Sequence, residues 1–245
     1  MKYIKIIDYI ASWINQLLTE NKAKGFVYGI SGGIDSALVA AIAKKFFKDN
    51  SLGLLMNIDN SYDDIKDQQL LINTLKVRNE NIDLQKVYQS YLMCLPENQN
   101  SKMNLKSRIR MNTLYYYAQI LNYLVCGTSN ADEIYTGYFT KYGDSGSDFI
   151  PLANLLKNDI VESAKLLNVP NSIINKKPTA GLYEGQNDEN ELKVTYKEID
   201  SYLLGKEISG KSKERIEFLH KISEHKRKMS KSILPLGNLL INLIN

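Results

Sequence analysis

Cysteine is scarce in this 245-residue chain, and it has neither a long apolar run nor a dominant charge. Cys94 and Cys126 stand 32 positions apart with no Cys-x-x-Cys pair and no Cys/His cluster, so neither a disulfide framework nor a zinc site is suggested. Reduced, intracellular thiols fit better. Lys plus Arg number 31 against 27 Asp plus Glu, an excess of only +4 that is scattered rather than gathered on a stripe, which argues against nucleic-acid binding. At the N-terminus, Ile4, Ile7, Ile10, Ile14 and Leu17 recur at helical spacing with Lys2, Lys5 and Asp8 between them, a polar-faced helix rather than a signal peptide. Leu234–Asn245 is apolar but far short of the roughly 20 residues that span a bilayer, so it reads as a docking tail. A cytoplasmic protein with no membrane element is expected. With no break in composition and no internal repeat, one domain over residues 1–245 is expected as well.

What the chain does have is a glycine turn between a strand pattern and a helix pattern. Phe26–Ile30 is apolar, Ser31-Gly32-Gly33-Ile34-Asp35-Ser36 follows, and Ala37–Ala43 is rich in alanine. Adjacent glycines let the backbone approach an anion closely, and the helix start offers unpaired N–H groups and a positive dipole end. No lysine follows the last glycine, so this is not a Walker loop, and other residues must neutralise the phosphates. Asp35 would be repelled by phosphates unless a divalent cation lay between them, which implies magnesium. Any βα unit could use such a capped turn, so the six residues alone leave a purely structural role open.

Further buried-strand patterns lie at Leu52–Ile58 and Tyr123–Cys126, with a weaker one at Asn81–Leu84. Helical patterns cover Ile34–Phe47, Tyr62–Lys76, Leu105–Leu121, Asn154–Leu167, Tyr196–Leu204 and Lys213–Lys226, while Ala180–Glu191 lacks periodicity and reads as a mobile loop. The alternation predicts an α/β fold with a doubly wound, mostly parallel sheet flanked by helices. Ligands bind such sheets beyond the carboxyl ends of the strands, where Ser31–Ser36 and Gly127–Glu133 should converge. Gly205–Ser212 matches the Walker pattern letter for letter. Its upstream partner, however, places Ile199, Tyr202 and Leu203 at helical spacing among charges that a central strand could not bury, so a helix–turn–helix connection is expected.

Gly127-Thr128, Glu133 and Thr136–Asp144, with Lys176–Ala180, the Tyr196–Gly205 helix and Glu224–Arg227, join the first loop in a combined set. With that set the chain resembles the ammonia-dependent NAD synthetases, members of the ATP-pyrophosphatase group with an adenine nucleotide alpha hydrolase-like fold. The glycine loop is shared with the whole group, whereas the later segments are specific. The resemblance implies a ligase that adenylates deamido-NAD with ATP and lets ammonia displace AMP, giving NAD, AMP and pyrophosphate. Carried over by position, Gly29, Ile30, Ser31, Gly32, Gly33, Ile34, Asp35 and Ser36 cradle the ATP phosphates. Thr128, Lys157 and Thr179 match ATP contacts, and Asp35 and Glu133 match the catalytic magnesium ligands. Arg108, Lys141, Asp148, His225 and Lys226 match deamido-NAD contacts, with Arg110 assisting.

The resemblance also implies a homodimer with the dinucleotide site across its interface. The face carrying Trp13 and the stretch Tyr115–Tyr117 are candidates for burial there, and both could equally serve a monomer core. No glutaminase domain is expected, so ammonia would be the direct nitrogen donor. Gly181 departs from the family's usual aspartate, which puts that carboxylate's ordering role in doubt. The alternatives are another member of the loop group, GMP synthetase-like or tRNA-thiolating, or a non-catalytic nucleotide-binding module.

Overall fold

A computed structural model describes residues 1–179 and 186–229. The first half of the expected mobile loop, residues 180–185 with Gly181, and the apolar tail from Leu234 lie outside the described residues. Four strands form one parallel sheet: β1 (Gly25–Gly29), β2 (Ser51–Asn57), β3 (Asn79–Asp83) and β4 (Tyr123–Cys126), in the order β3-β2-β1-β4. The register pairs Phe26 with Ser51 on one side and with Leu124 on the other. Phe149 adds a single parallel bridge beyond β4, at Cys126.

The helices are α1 (Lys2–Glu20), α2 (Ile34–Ile42), α3 (Tyr62–Leu75), α4 (Gln85–Met93), α5 (Gln99–Leu121), α6 (Ala131–Thr136), α7 (Lys157–Leu166), α8 (Asn171–Ile174), α9 (Asp188–Leu192), α10 (Tyr196–Leu203), α11 (Gly210–Ile222) and α12 (Glu224–Arg227). They cover both sheet faces because alternate strand residues point to opposite sides. Phe26 and Tyr28 join one core with Ile7, Ile10 and Ile14 of α1, Leu38 and Ile42 of α2, and Ile160 of α7. Val27, Leu54 and Val125 join another with Tyr88 of α4 and Ile109, Met111 and Leu114 of α5. The doubly wound sheet expected from the sequence is therefore present. A small third cluster, Leu192, Val194, Ile199 and Ile216, packs α9, α10 and α11 together.

Several boundaries differ from the expectation. The helix pattern at Ile34–Phe47 ends as α-helix at Ile42 and continues as a π turn over Ala43–Phe47. Pro151–Asn154 forms turns, so α7 begins only at Lys157. The end of the expected loop is helical: Asn187 caps α9 by accepting the Asn190 N–H at 3.0 Å. Trp13 packs edge-on against Phe149 with ring centroids 6.0 Å apart. Among the described residues no helix is long and apolar enough to cross a membrane.

Candidate active site

The chain runs β1 to β2 to β3 in one direction and then adds β4 on the other side of β1, so the sheet's switch point lies between β1 and β4. A cavity of about 540 Å³ opens there, beyond the strands' carboxyl ends. The glycine loop enters it from β1. Gly32 turns at φ +87°, and a Cβ added there would sit 3.0 Å from the Asp64 carbonyl oxygen of α3, so glycine is required for both angle and space. Hydroxyls knit the turn: the Ser31 and Ser36 Oγ atoms lie 2.9 Å apart, Gly33 N–H donates to Ser31 Oγ at 3.2 Å, and Ser36 Oγ donates to the Gly33 carbonyl at 3.0 Å. Asp35 is thereby fixed in the first turn of α2.

The segment after β4 arrives from the other side. Asn130 and Glu133 form a capping box at α6: Asn130 Oδ1 accepts the Glu133 N–H at 3.0 Å, and Glu133 Oε2 accepts the Asn130 N–H at 3.2 Å. The amide of Asn130 still has its donor side, and Nδ2 donates to Asp35 Oδ1 at 2.9 Å. The other oxygen, Oδ2, accepts from Lys157 Nζ at 2.7 Å. Lys157 is set by its own backbone, whose N–H at the start of α7 lies 2.9 Å from Asp132 Oδ2 and 3.0 Å from Asp200 Oδ1. Its ammonium also rides over the Tyr196 ring, 4.8 Å from the centroid. The two loops converge as the sequence implied, with Asp35 at the junction.

The charges here are under tension. Burial and then the negative charge of Asp35 push the Glu133 carboxyl well above the usual carboxylate range. Burial works against the charge of Lys157, but Asp35 and Glu133 outweigh it and hold the ammonium above the ordinary lysine value. Asp132, desolvated and facing Asp200, is pushed up to about 8.

Among the described residues no group of three or more His, Cys, Asp or Glu could hold a metal by itself. Two carboxylates with phosphate oxygens are nevertheless what magnesium ordinarily takes, and the upward shift of Glu133 beside Asp35 is what a divalent cation between them would relieve. The donor set fits that ion.

Gly29, Ile30, Ser31, Gly33, Ile34, Asp35, Ser36, Thr128, Glu133, Lys157 and Thr179 all line the cavity, and so do Arg110 and Lys226. The guanidinium of the half-buried Arg110, lowered in pKa by desolvation, donates to the Met56 and Ile58 carbonyls and to Asn60 Oδ1. Lys226 Nζ donates to the Gly137 and Phe139 carbonyls, each at 2.8 Å. Four expected contacts are not brought in. Arg108 is exposed with Nε on the Lys141 carbonyl, Lys141 Nζ reaches the carbonyl of the exposed His225 at 2.7 Å, and Asp148 accepts the Val125 N–H at 2.7 Å and the Tyr115 hydroxyl at 2.9 Å.

Sequence reasoning missed Asn130 and the anchoring pair Tyr138 and Asp188, whose hydroxyl and carboxylate meet at 3.0 Å in the cavity wall. The Asn-x-x-Glu spacing at 130–133 was a legible capping signal; nothing in the sequence pattern marked the Tyr138–Asp188 contact.

The sequence profile described as NAD synthase matches residues 6–230. This chain belongs to that family. Among curated NAD synthase relatives, the NH(3)-dependent NAD(+) synthetase of Malacoplasma penetrans is 62% identical over 97% of this chain and 98% of its own length. The protein of the same name from Finegoldia magna is 48% identical, covering 95% and 97%. Among solved structures, an NMN synthetase from Francisella tularensis superposes with a TM-score of 0.91 at 41% identity, over 95% of this chain and 98% of that one. An NH3-dependent NAD synthetase from Campylobacter jejuni, solved with nitrate, gives 0.79 at 30% identity, over 96% and 100%.

Proposed function

We propose that the protein is an ammonia-dependent ligase that converts deamido-NAD to NAD with cleavage of ATP to AMP and pyrophosphate. The observation that carries this reading is Asp35, set in the glycine loop and gripped by Asn130 from the β4 side and by Lys157 from α7. A nicotinate carboxylate oxygen attacks the α-phosphorus of ATP, and the bond from that phosphorus to the bridging oxygen breaks to release pyrophosphate. Ammonia then adds to the activated carbonyl carbon, the carbon–oxygen bond to AMP breaks, and a proton is lost from nitrogen. Gly29–Ser36, Thr128 and Thr179 bind the phosphates, and Lys157 counters their charge. Asp35 and Glu133 would hold magnesium, which when bound screens the polyphosphate and polarises the phosphorus under attack.

Arg110 and Lys226, cations inside the cavity, suit the acidic end of the second substrate. Arg108, Lys141, Asp148 and His225 suit the rest of a dinucleotide site completed by a second copy of the chain. The reading includes a homodimer, a cytoplasmic location and a single synthetase unit at residues 1–245; that ammonia is the nitrogen donor is supported by the names of the relatives. The cysteines do not favour a thiolating enzyme: Cys126 is buried, with its thiol pushed well up by that burial, and Cys94 is exposed beyond α4.

The high similarity to an NMN synthetase supports a second reading, in which the acceptor is the mononucleotide, nicotinate mononucleotide. Both are tested by incubating the protein with ATP, magnesium and ammonium plus either nucleotide, and measuring amide, AMP and pyrophosphate. Amidation of the dinucleotide supports the first reading, and amidation of the mononucleotide alone replaces it with the second. ADP and phosphate as products, or binding of ATP without turnover, would overturn both.

A further inference from the structure

Lys176 and Lys177 both line the cavity just ahead of Thr179, yet their surroundings differ. Lys176 Nζ lies 2.9 Å from Asp64 Oδ1 and 2.7 Å from Asp67 Oδ2, and all three side chains are between 14 and 22% exposed. Lys177 is exposed and makes no ion pair or hydrogen bond among the described residues. Asp64 is fully engaged, because its Oδ2 also accepts the Ser61 hydroxyl at 2.7 Å. The same helix turn touches the glycine loop: the Asp64 carbonyl lies where a Cβ on Gly32 would reach 3.0 Å, and Gln68 Nε2 donates to the Ile30 carbonyl at 3.1 Å. One face of α3, at positions 64, 67 and 68, therefore supports the phosphate loop with its backbone and Gln68 and grips the 176–179 segment with its carboxylates.

We propose that Asp64, Asp67 and Lys176 form a clamp that sets the 176–179 segment against the glycine loop. Lys176 is a positioning residue, and Lys177 is the lysine left to meet the departing pyrophosphate. Two carboxylates at hydrogen-bond distance in a partly desolvated setting hold an ammonium more firmly than an exposed pair would, so Lys176 stays on α3 when the anion enters. Releasing it would leave two adjacent carboxylates beside a polyphosphate. Lys177 pays no such cost on turning inward.

The clamp rests on the ATP-cleaving reading above, but its test reads ATP binding separately from amidation. The dissociation constant for ATP with magnesium is measured by calorimetry, and KM for ATP and for the nicotinate nucleotide by turnover, in Lys176→Met, Lys176→Arg, Asp64→Asn/Asp67→Asn and Lys177→Met. The clamp predicts that Lys176→Met and the double asparagine variant weaken ATP binding alike, by about tenfold, with the nicotinate nucleotide KM within twofold. Lys176→Arg, which can still bridge both carboxylates, restores most of the loss. Lys177→Met weakens ATP binding without lowering the thermal midpoint.

The proposal is overturned if Lys176→Met binds ATP as wild type does, or if Lys176→Arg is no better than Lys176→Met. It is equally overturned if Lys176→Met loses ATP while the double asparagine variant keeps it, which would make Lys176 itself the phosphate contact. Intact clamp behaviour with no amide formed would reject the assigned reaction and leave the clamp standing.

Discussion

Asp35 has both oxygens committed, to Asn130 at 2.9 Å and Lys157 at 2.7 Å, so replacing it changes two partners at once. Asp35→Asn turns an amide donor toward one of two donors and strips Lys157 of its nearest counter-charge. Turnover is expected to fall at least about 100-fold with the circular dichroism spectrum unchanged. A variant releasing AMP at the wild-type rate would remove Asp35 from the chemistry.

Asp132 gives a second test at this scale. Burial and then the charge of Asp200 push its carboxyl up to about 8 in the folded chain, against about 3.9 when unfolded, so the folded state holds the extra proton between those values and stability falls as pH rises through them. Asn at this position keeps an acceptor for the Lys157 N–H without the charge. Asp132→Asn should therefore gain thermal midpoint over wild type from about pH 4 to about pH 8 and level off above; a variant less stable than wild type at pH 8.5 would contradict this. The residues at the loop junction were legible because their spacing carries the chemistry. Partners that meet only through tertiary contact, such as Tyr138 with Asp188 or Lys176 with Asp67, leave no periodic trace in the sequence.

At the scale of elements, the glycine turn and its α3 support form one unit. Gly32→Ala forces a side chain into a positive-φ turn 3.0 Å from a carbonyl oxygen, at a cost of about 1–2 kcal/mol, or a midpoint lower by about 2–8 °C in a chain of this size. ATP affinity should fall with it. The Walker-like match behaves as a connection: Ser209 caps α11, Ser212 Oγ donates to Glu198, and a Cβ on Gly205 or Gly210 would meet nothing within 4 Å. Lys211→Ala should leave KM for ATP within about twofold of wild type.

Strands β1, β2 and β4 stood out in the sequence because both faces of β1 and β2 are buried and those of β4 are buried or half-buried. Helix α4 was missed although Val87, Tyr88, Tyr91 and Leu92 fall at helical spacing, a short stripe of which only Tyr88 is buried. The first turn of α5 was missed for a related reason: Gln99–Asn104 is polar apart from Met103, and its start is fixed by the Asn98 cap.

Across the whole molecule, the fold puts a ligand site at the seam of the sheet, so ligand occupancy should be felt as global stability. ATP with magnesium at about 100 times its dissociation constant should add about 2.7 kcal/mol, raising the midpoint by about 5–11 °C. Asp35→Asn should abolish the shift, and a thermal scan with and without nucleotide checks it. The fold class was readable from the alternation of patterns because topology follows from burial on two faces. The separation of the cavity from Arg108, Lys141, Asp148 and His225 was not, since it depends on how α5, the Lys141 turn and α12 meet at the surface.

The outer strand β3 was the weakest strand signal, with Asn79, Glu80, Asn81 and Asp83 exposed along it. A sheet edge offers unpaired backbone groups to any passing strand, and carboxylates arrayed along it repel a like copy. The polarity that weakened the β3 signal in the sequence thus doubles as protection against edge-to-edge polymerisation, the hazard an open parallel sheet carries at its rim.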